Sequence, residues 1–253
     1  MLVLRSLLFN IAFFLNTLLW MLLLIPMFAA PRRVFMRGPK LWARCNLWLL
    51  RVIAGTKAEY VGLDRIPAGG LLVAAKHQSA WETFALVPLF DDPTFILKRE
   101  LMWIPLFGWY LAKARCVPID RRAGSQALAQ MNERAREEVR AGRQILIFPE
   151  GTRKPAGARP SYKYGVAHLY DNLGVPCLPI ALNSGLYWPR RAFIRRPGTI
   201  RADILEPIPP GMPRDTFFPL LQAQIEDSSN RLLAQGKAEL GLIDSGPLGA
   251  ASR

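Results

Sequence analysis

At 253 residues, with 51% hydrophobic residues and a mean hydropathy of +0.14, the chain is long enough for one sizeable core and too apolar for extended disorder. Its 33 lysines and arginines against 19 aspartates and glutamates leave a net charge of +14, which points to an anionic partner, nucleic acid or anionic lipid. Three cysteines, Cys45, Cys116 and Cys177, are too few and too scattered for a metal site or a disulfide framework, and their apolar neighbours predict buried, inert thiols in a reduced, cytoplasmic setting.

The N-terminus comes first. From Ser6 to Pro31 no residue is charged, and about 20 apolar residues suffice to cross a bilayer core. The run exceeds the apolar region of a signal peptide and "MFAAPRR" is a poor cleavage site, so it reads as a retained anchor. Arg32, Arg33, Arg37, Lys40 and Arg44 follow directly, and more positive charge lies in "PRRAFIRRPG", at Arg190, Arg191, Arg195 and Arg196. Basic residues beside a membrane-seeking segment favour anionic lipid head groups and hold the rest of the chain on the cytoplasmic side, here the inner face of the cell membrane. "LWARCNLWLLRVIAG" (residues 41–55) mixes Trp42 and Trp48 with Arg44 and Arg51 and reads as an interfacial helix. Two arrangements remain open: a first segment that spans the membrane, or a hairpin of both segments in one leaflet. The expected organisation is an anchor and interfacial helix over 1–55, a globular domain over 56–240 and a flexible tail over 241–253.

Beyond the anchor, short apolar runs alternate with helical patterns. "GLLVAA" reads as a buried strand and "SAWETFALVPLF" as the helix after it. "PTFILKREL" supplies a strand, "WIPLFGWYLAK" a short helix or loop, and "ARCVPIDR" a strand ending at Asp120. In "GSQALAQMNERAREEVRAG", Leu128, Met131, Ala135 and Val139 recur at helical spacing and Gly142 is a stop signal. "QILIF" is a continuous apolar strand of the kind covered on both faces. A helix near "YKYGVAHLYDNLG" and a strand in "VPCLPIALN" complete the series. The alternation predicts an α/β fold: a mostly parallel central sheet flanked by helices, carrying an N-terminal membrane-associating helical segment. Sites in such folds lie where strands end and helices begin.

One of the chain's two histidines, His77, follows the strand "LLVAA", and Glu82 comes five residues later. On a single helix the two would point about 140° apart. A strand-to-helix turn lets them meet. "SAWE" also forms a capping box, Ser79 as N-cap and Glu82 reaching back to a backbone N–H. One carboxylate oxygen is then expected to cap while the other accepts from the imidazole. Ser79 lacks the G-x-S-x-G elbow of a serine hydrolase, and His168, inside an amphipathic helix, reads as a packed or surface residue.

A second motif, "IFPEGTRK" (Ile147 to Lys154), follows the strand "QILIF". Gly151 permits a tight turn, and Thr152, Arg153 and Lys154 place there polar and cationic groups of the kind that suit a phosphate. "KHQSAWE" and "FPEGTR", about 70 residues apart, together resemble the glycerolipid acyltransferase family, specifically the 1-acyl-glycerol-3-phosphate acyltransferases. "LKRELMWIPLFGW" with "CVPIDR", the pair Lys163 and Gly165 in "SYKYGVAHL", and "VPCLPIALN" resemble its lesser blocks. The likeness covers Val61 to Asn183. Where the usual family pattern has aspartate, this chain has Glu82.

The resemblance implies that His77 takes a proton from the hydroxyl of a lysophosphatidic acid acceptor, which attacks an acyl-CoA or acyl-acyl carrier protein thioester. Glu82 would orient the imidazole and stabilise its cation. It further implies that Arg153 binds the acceptor phosphate, with Lys98 next and Arg99 and Lys163 as further candidates, and that Glu150 and Gly151 shape the glycerol pocket. The implied product is phosphatidic acid. No metal or bound organic cofactor is indicated, and the partners are the acyl donor, the acceptor and a membrane lipid surface. Two alternatives bear on function: acylation of another lyso-lipid, such as lyso-ornithine lipid or a lysophospholipid in remodelling, and a membrane-tethered nucleic-acid-binding module. The latter requires a basic recognition helix or an aromatic-studded sheet, and neither is apparent.

Overall fold

A computed structural model describes residues 1–120 and 124–242. The charge-free N-terminus folds into one helix, α1 (Leu2–Leu23). A short α2 (Arg32–Phe35) leads to α3 (Arg37–Leu49), which runs on into a π-type turn over Leu50–Ala54. α1 and α3 lie side by side, joined by Asn16 Nδ2 donating to Asn46 Oδ1 (3.1 Å) and Trp42 Nε1 donating to Thr17 Oγ1 (3.2 Å).

The remaining elements follow in order: β1 (Thr56–Val61), β2 (Leu71–Ala75), α4 (Glu82–Ala85), β3 (Pro93–Lys98), α5 (Phe107–Lys113), β4 (Val117–Ile119), α6 (Gly124–Arg140), β5 (Gln144–Ile147), α7 (Gly165–Leu173), β6 (Cys177–Leu182), α8 (Ser184–Tyr187), β7 (Gly198–Ile204) and α9 (Arg214–Glu239). They build a seven-stranded sheet in the order β1-β7-β6-β2-β5-β3-β4. Every neighbouring pair is parallel except β6 with β7. The predicted α/β class with a mostly parallel sheet is what the chain adopts.

β2 is the centre of this architecture. All five of its residues are 0% exposed, and alternate ones serve opposite layers. Leu71, Val73 and Ala75 pack toward α1, α3 and α8, where Phe9, Ala43, Trp81 and Tyr187 gather. Leu72 and Ala74 pack toward α6, α7 and α9, against Met131, Ala135, Leu169 and Leu221. Each fully buried Leu or Val contributes about 1.5–3 kcal/mol. That burial holds β2 in place, and with it the point where the chain leaves the sheet at His77.

Several elements lie outside the expected series, among them β1, α8, β7 and α9. The expected helix over "SAWETFALVPLF" is shorter than read. Only Glu82–Ala85 is α-helical, and a 3₁₀ turn at Val87–Leu89 follows. Pro88, which has no N–H to donate, accounts for the break. Helix α6 has the expected buried stripe, with Met131, Ala135 and Val139 covered. Of the tail expected over 241–253, residues 243–253 lie outside the described residues.

The N-terminal helices are anchored on the domain. Phe9 and Trp188 meet edge to face, with ring centroids 5.2 Å apart. Arg5 Nε donates to the Ile53 carbonyl (2.8 Å), Asn10 Nδ2 to that of Phe193 (3.0 Å), and Tyr110 Oη to that of Met21. The basic clusters are divided in use. Arg32 forms an ion pair with Asp92 (2.5 Å) and Lys40 donates to the Asp91 carbonyl (2.8 Å), while Arg33, Arg37, Arg44 and Arg51 remain exposed. Arg195, of the later basic stretch, is 8% exposed with its guanidinium 4.6 Å above the Trp188 ring, and burial lowers its pKa to about 10. The cysteines also differ from expectation: Cys177 is buried, whereas Cys45 and Cys116 are half-buried. Burial pushes the thiols of Cys116 and Cys177 up, away from thiolate reactivity.

Candidate active site

β6, β2, β5 and β3 are adjacent and mutually parallel, so their carboxyl ends share one edge of the sheet. Asn183 and Ser184 leave β6 there, His77 leaves β2, Phe148 to Arg153 leave β5, and Lys98 closes β3. The expectation that a site forms at strand ends thus brings together residues up to about 100 positions apart in the sequence.

The turn from β2 into α4 joins His77 and Glu82. His77 Nδ1 lies 3.0 Å from Glu82 Oε1. The same oxygen accepts the backbone N–H groups of Gln78 and Ser79, each at 2.7 Å. The division expected between a capping oxygen and an imidazole-binding oxygen is therefore not the one adopted. Oε1 does both, and Oε2 accepts the Ser184 hydroxyl at 2.8 Å. The Ser79 hydroxyl accepts from the Trp81 N–H (3.2 Å), in the turn just before α4. Because Oε1 receives two N–H donors it is an acceptor, which assigns the shared proton to Nδ1 and leaves Nε2 as the basic nitrogen. The imidazole lies on the Phe148 ring, centroids 4.1 Å apart and planes 14° from parallel.

The "FPEGTR" loop is tied to that turn. The Lys154 N–H donates to the His77 carbonyl (2.8 Å), and the Lys163 N–H to that of Pro149 (2.8 Å). Gly151 adopts φ 66°, where a side chain is strained, and its N–H bonds back to Phe148 (2.9 Å). Glu150 was expected to shape a glycerol pocket. It is instead 1% exposed: Oε2 accepts the His77 N–H (2.8 Å), and Oε1 lies 3.1 Å from Lys76 Nζ. Lys76, 3% exposed, also meets Glu226 of α9 at 2.5 Å, and Tyr162 donates to that carboxylate at 2.8 Å. Burial pushes the Glu150 carboxyl above its ordinary range, and Lys76 opposes the shift. Charge pairing beneath the backbone of His77 thus braces the turn from behind.

A cavity of about 670 Å³ opens in front of it. Its wall includes His77, Gly151, Thr152, Arg153, Lys98 and Lys163, together with apolar side chains of α1 and α3 (Trp20, Met21, Trp42), β3 (Phe95) and α5 (Phe107, Leu111). Arg99 stands apart from this wall, paired with Asp120 (2.9 Å) and 5.4 Å from the Trp103 ring. Sequence reasoning missed Arg190, which lines the cavity and donates to the Arg153 carbonyl at 3.0 Å. It also missed Lys76, Tyr162, Ser184 and Glu226. Lys76 carried a signal, as a lysine at the end of an otherwise apolar strand. Glu226 carried none. Among the described residues no group of three or more His, Cys, Asp or Glu side chains gathers as a metal site. The arrangement sets an imidazole paired with a carboxylate at the mouth of a largely apolar cavity, with cationic side chains on its wall.

Comparison with known proteins gives a consistent set of likenesses. A family model described as Acyltransferase matches residues 57–183. A 1-acyl-sn-glycerol-3-phosphate acyltransferase of Pseudomonas aeruginosa is 39% identical over 202 residues, 80% of this chain and 77% of the relative. The alpha enzyme of that name from Mus musculus is 27% identical over 204 residues, 79% and 71% of the two chains. The crystal structure of the 1-acyl-sn-glycerophosphate acyltransferase PlsC from Thermotoga maritima superposes with a TM-score of 0.79 over 92% of this chain and 98% of that one. At 22% identity that likeness establishes the fold.

Proposed function

The chain belongs to the acyltransferase family, and from that premise we propose that it transfers a fatty acyl group from an acyl thioester to the free sn-2 hydroxyl of 1-acyl-glycerol-3-phosphate, giving phosphatidic acid. The observation that carries this reading is the His77–Glu82 pair, 3.0 Å apart, at a cavity that also holds Arg153.

In this mechanism His77 Nε2 takes the proton of the acceptor hydroxyl as its oxygen attacks the thioester carbonyl. The new ester C–O bond forms, the C–S bond breaks, and the imidazolium returns its proton to the departing thiolate. Glu82 holds the Nδ1–H tautomer and stabilises the imidazolium, the role an acid plays in a serine-protease triad. The acceptor hydroxyl stands where that triad has its serine. The Arg153 guanidinium suits bidentate binding of the acceptor phosphate, and Lys98 and Lys163 add positive charge on the same wall. The donor is an acyl-CoA or an acyl-acyl carrier protein, and the apolar side of the cavity receives an acyl chain.

The cell membrane supplies the lipid surface, with the domain on its cytoplasmic face. α1 is the one described helix long and apolar enough to cross a bilayer. It exposes Leu7, Ile11, Phe14, Leu15, Leu18 and Leu22 at helical spacing, while Arg5, Asn10, Thr17 and Met21 are hydrogen-bonded to the rest of the protein. These four contacts, spread along α1, hold it against the rest of the protein. That supports the arrangement in which α1 and α3 enter one leaflet, with exposed Arg33, Arg37, Arg44 and Arg51 available to anionic head groups.

The test is acyl transfer from both donor types to lysophosphatidic acid, beside lyso-ornithine lipid and lysophospholipids lacking a terminal phosphate. His77→Ala should lose about 10² to 10⁴ in kcat with its melting temperature retained. Arg153→Ala should raise KM for lysophosphatidic acid more than it lowers kcat. Preference for an acceptor without phosphate would overturn the substrate assignment, and near-normal turnover in His77→Ala would overturn the mechanism.

A further inference from the structure

Glu82 is 0% exposed, and four donors surround its carboxylate. Three of them converge on Oε1: His77 Nδ1 and the N–H groups of Gln78 and Ser79. Oε2 has the Ser184 hydroxyl, at 2.8 Å. The terminal torsion of a glutamate is broad and roughly two-fold, so donors crowded on one oxygen leave the plane of the carboxylate weakly fixed. A donor on the other oxygen removes that freedom.

Ser184 is itself firmly placed. It is the first residue of α8, 0% exposed, and lies 102 positions from Glu82. On one side, Asn183 donates to the Leu232 carbonyl (3.1 Å) and accepts from the Arg201 N–H (2.8 Å). On the other, the Gly185 N–H donates to Gln78 Oε1 at 3.0 Å. A Cβ on Gly185 would come within 2.8 Å of the Gln78 Cβ, so glycine is what allows this close approach. The start of α8 is thus pressed onto the turn that carries His77.

We propose that Ser184 is a positioning residue of the acyl transfer, its hydroxyl fixing the Glu82 carboxylate in the orientation that holds His77. Ser184 lies one residue beyond the span matched by the family model. The proposal rests on the reading of His77 and Glu82 as base and orienting acid. It also accounts for the longer acid: a glutamate reaches across the turn to α8, and Ser184 closes the far side.

The experiment is a double-mutant cycle on the full chain in phospholipid vesicles, with lysophosphatidic acid and a long-chain acyl-CoA, or the matching carrier-protein thioester where that is the better donor. Ser184→Ala should lower kcat about 10- to 50-fold while KM for lysophosphatidic acid stays within twofold. In a Glu82→Ala background the same change should lower kcat less than twofold, because no carboxylate remains to be positioned. If Ser184→Ala does not fold, Ser184→Cys, of nearly the same shape and with a weaker donor, should show the same loss of kcat without a change in KM. Wild-type kcat in the folded Ser184 variant, or equal losses in both backgrounds, would overturn the proposal and leave the base assignment intact. Near-normal activity in His77→Ala would overturn the base assignment itself.

Discussion

Replacing Glu82 by aspartate installs the residue usual in the family's pattern, and here it should impair the protein. The substitution removes one methylene and draws the carboxylate back by about 1.5 Å, the length of a C–C bond. With the turn unmoved, the 3.0 Å separation from His77 Nδ1 would grow to about 4.5 Å, beyond hydrogen-bonding range. The contacts to Gln78 N, Ser79 N and Ser184 Oγ, at 2.7, 2.7 and 2.8 Å, would lengthen as well. A hydrogen bond to a charged group contributes about 1.5–3 kcal/mol. Losing only the imidazole contact, while the backbone settles around the shorter acid, lowers kcat about 10- to 150-fold at about 1.4 kcal/mol per decade. Initial rates at saturating donor, with kcat and KM for lysophosphatidic acid fitted separately, measure the effect. The loss should fall in kcat, because the acid touches the base and not the acceptor. An aspartate variant within threefold of wild type, at an unchanged melting temperature, would refute the argument that reach is what this site requires.

Two further outcomes follow from the surroundings of the pair. Burial holds the Glu150 carboxyl above its ordinary value of 4.5, so the folded chain binds this proton more tightly than the unfolded one. Its contribution to stability is fully present below pH 4.5 and is lost as pH rises through the folded value. Glu150→Gln has no such proton, so the melting temperature of wild type relative to that variant should decline from pH 4.5 upward and then level off; a difference that grows with pH contradicts the assignment. On α1, Ile11→Asp with Leu18→Asp places charge on residues 48% and 52% exposed, which should leave the fold intact. Removing two side chains that each contribute about 1.5–3 kcal/mol on burial in lipid should weaken partition into anionic vesicles more than 100-fold; unchanged partition would mean that this face does not enter the bilayer.

Much of the fold was legible because β2, β5 and β6 are short apolar runs bounded by helices with a clear stripe, such as Met131, Ala135 and Val139 on α6. What went unread has physical causes. β1 has a burial pattern that alternates along Thr56–Val61, with Lys57 and Glu59 outward, a weaker signal than a continuous apolar run. α9 carries Phe217, Leu221, Ile225 and Leu232 at helical spacing, yet Pro219 and buried Ser228, Ser229 and Gly236 interrupt the stripe. The pairing of His77 with Glu82 was legible because both lie in one local turn whose geometry follows from strand and helix periods. The ion pair of Lys76 with Glu226 was not, since no local pattern relates residues 150 positions apart.

The same distinction explains why the role of each carboxylate oxygen was misjudged. Local reasoning saw two demands on Glu82, a cap and an imidazole, and gave each an oxygen. It had no third claimant, because Ser184 reaches the turn only through the parallel pairing of β6 with β2. With Oε2 committed to Ser184, the cap and the imidazole share Oε1. A glutamate meets these requirements because its longer stem sets the carboxylate between the turn and α8. The acid that departs from the family's usual residue is therefore matched to a contact across the sheet, and substitutions at positions 82 and 184 should prove strongly non-additive.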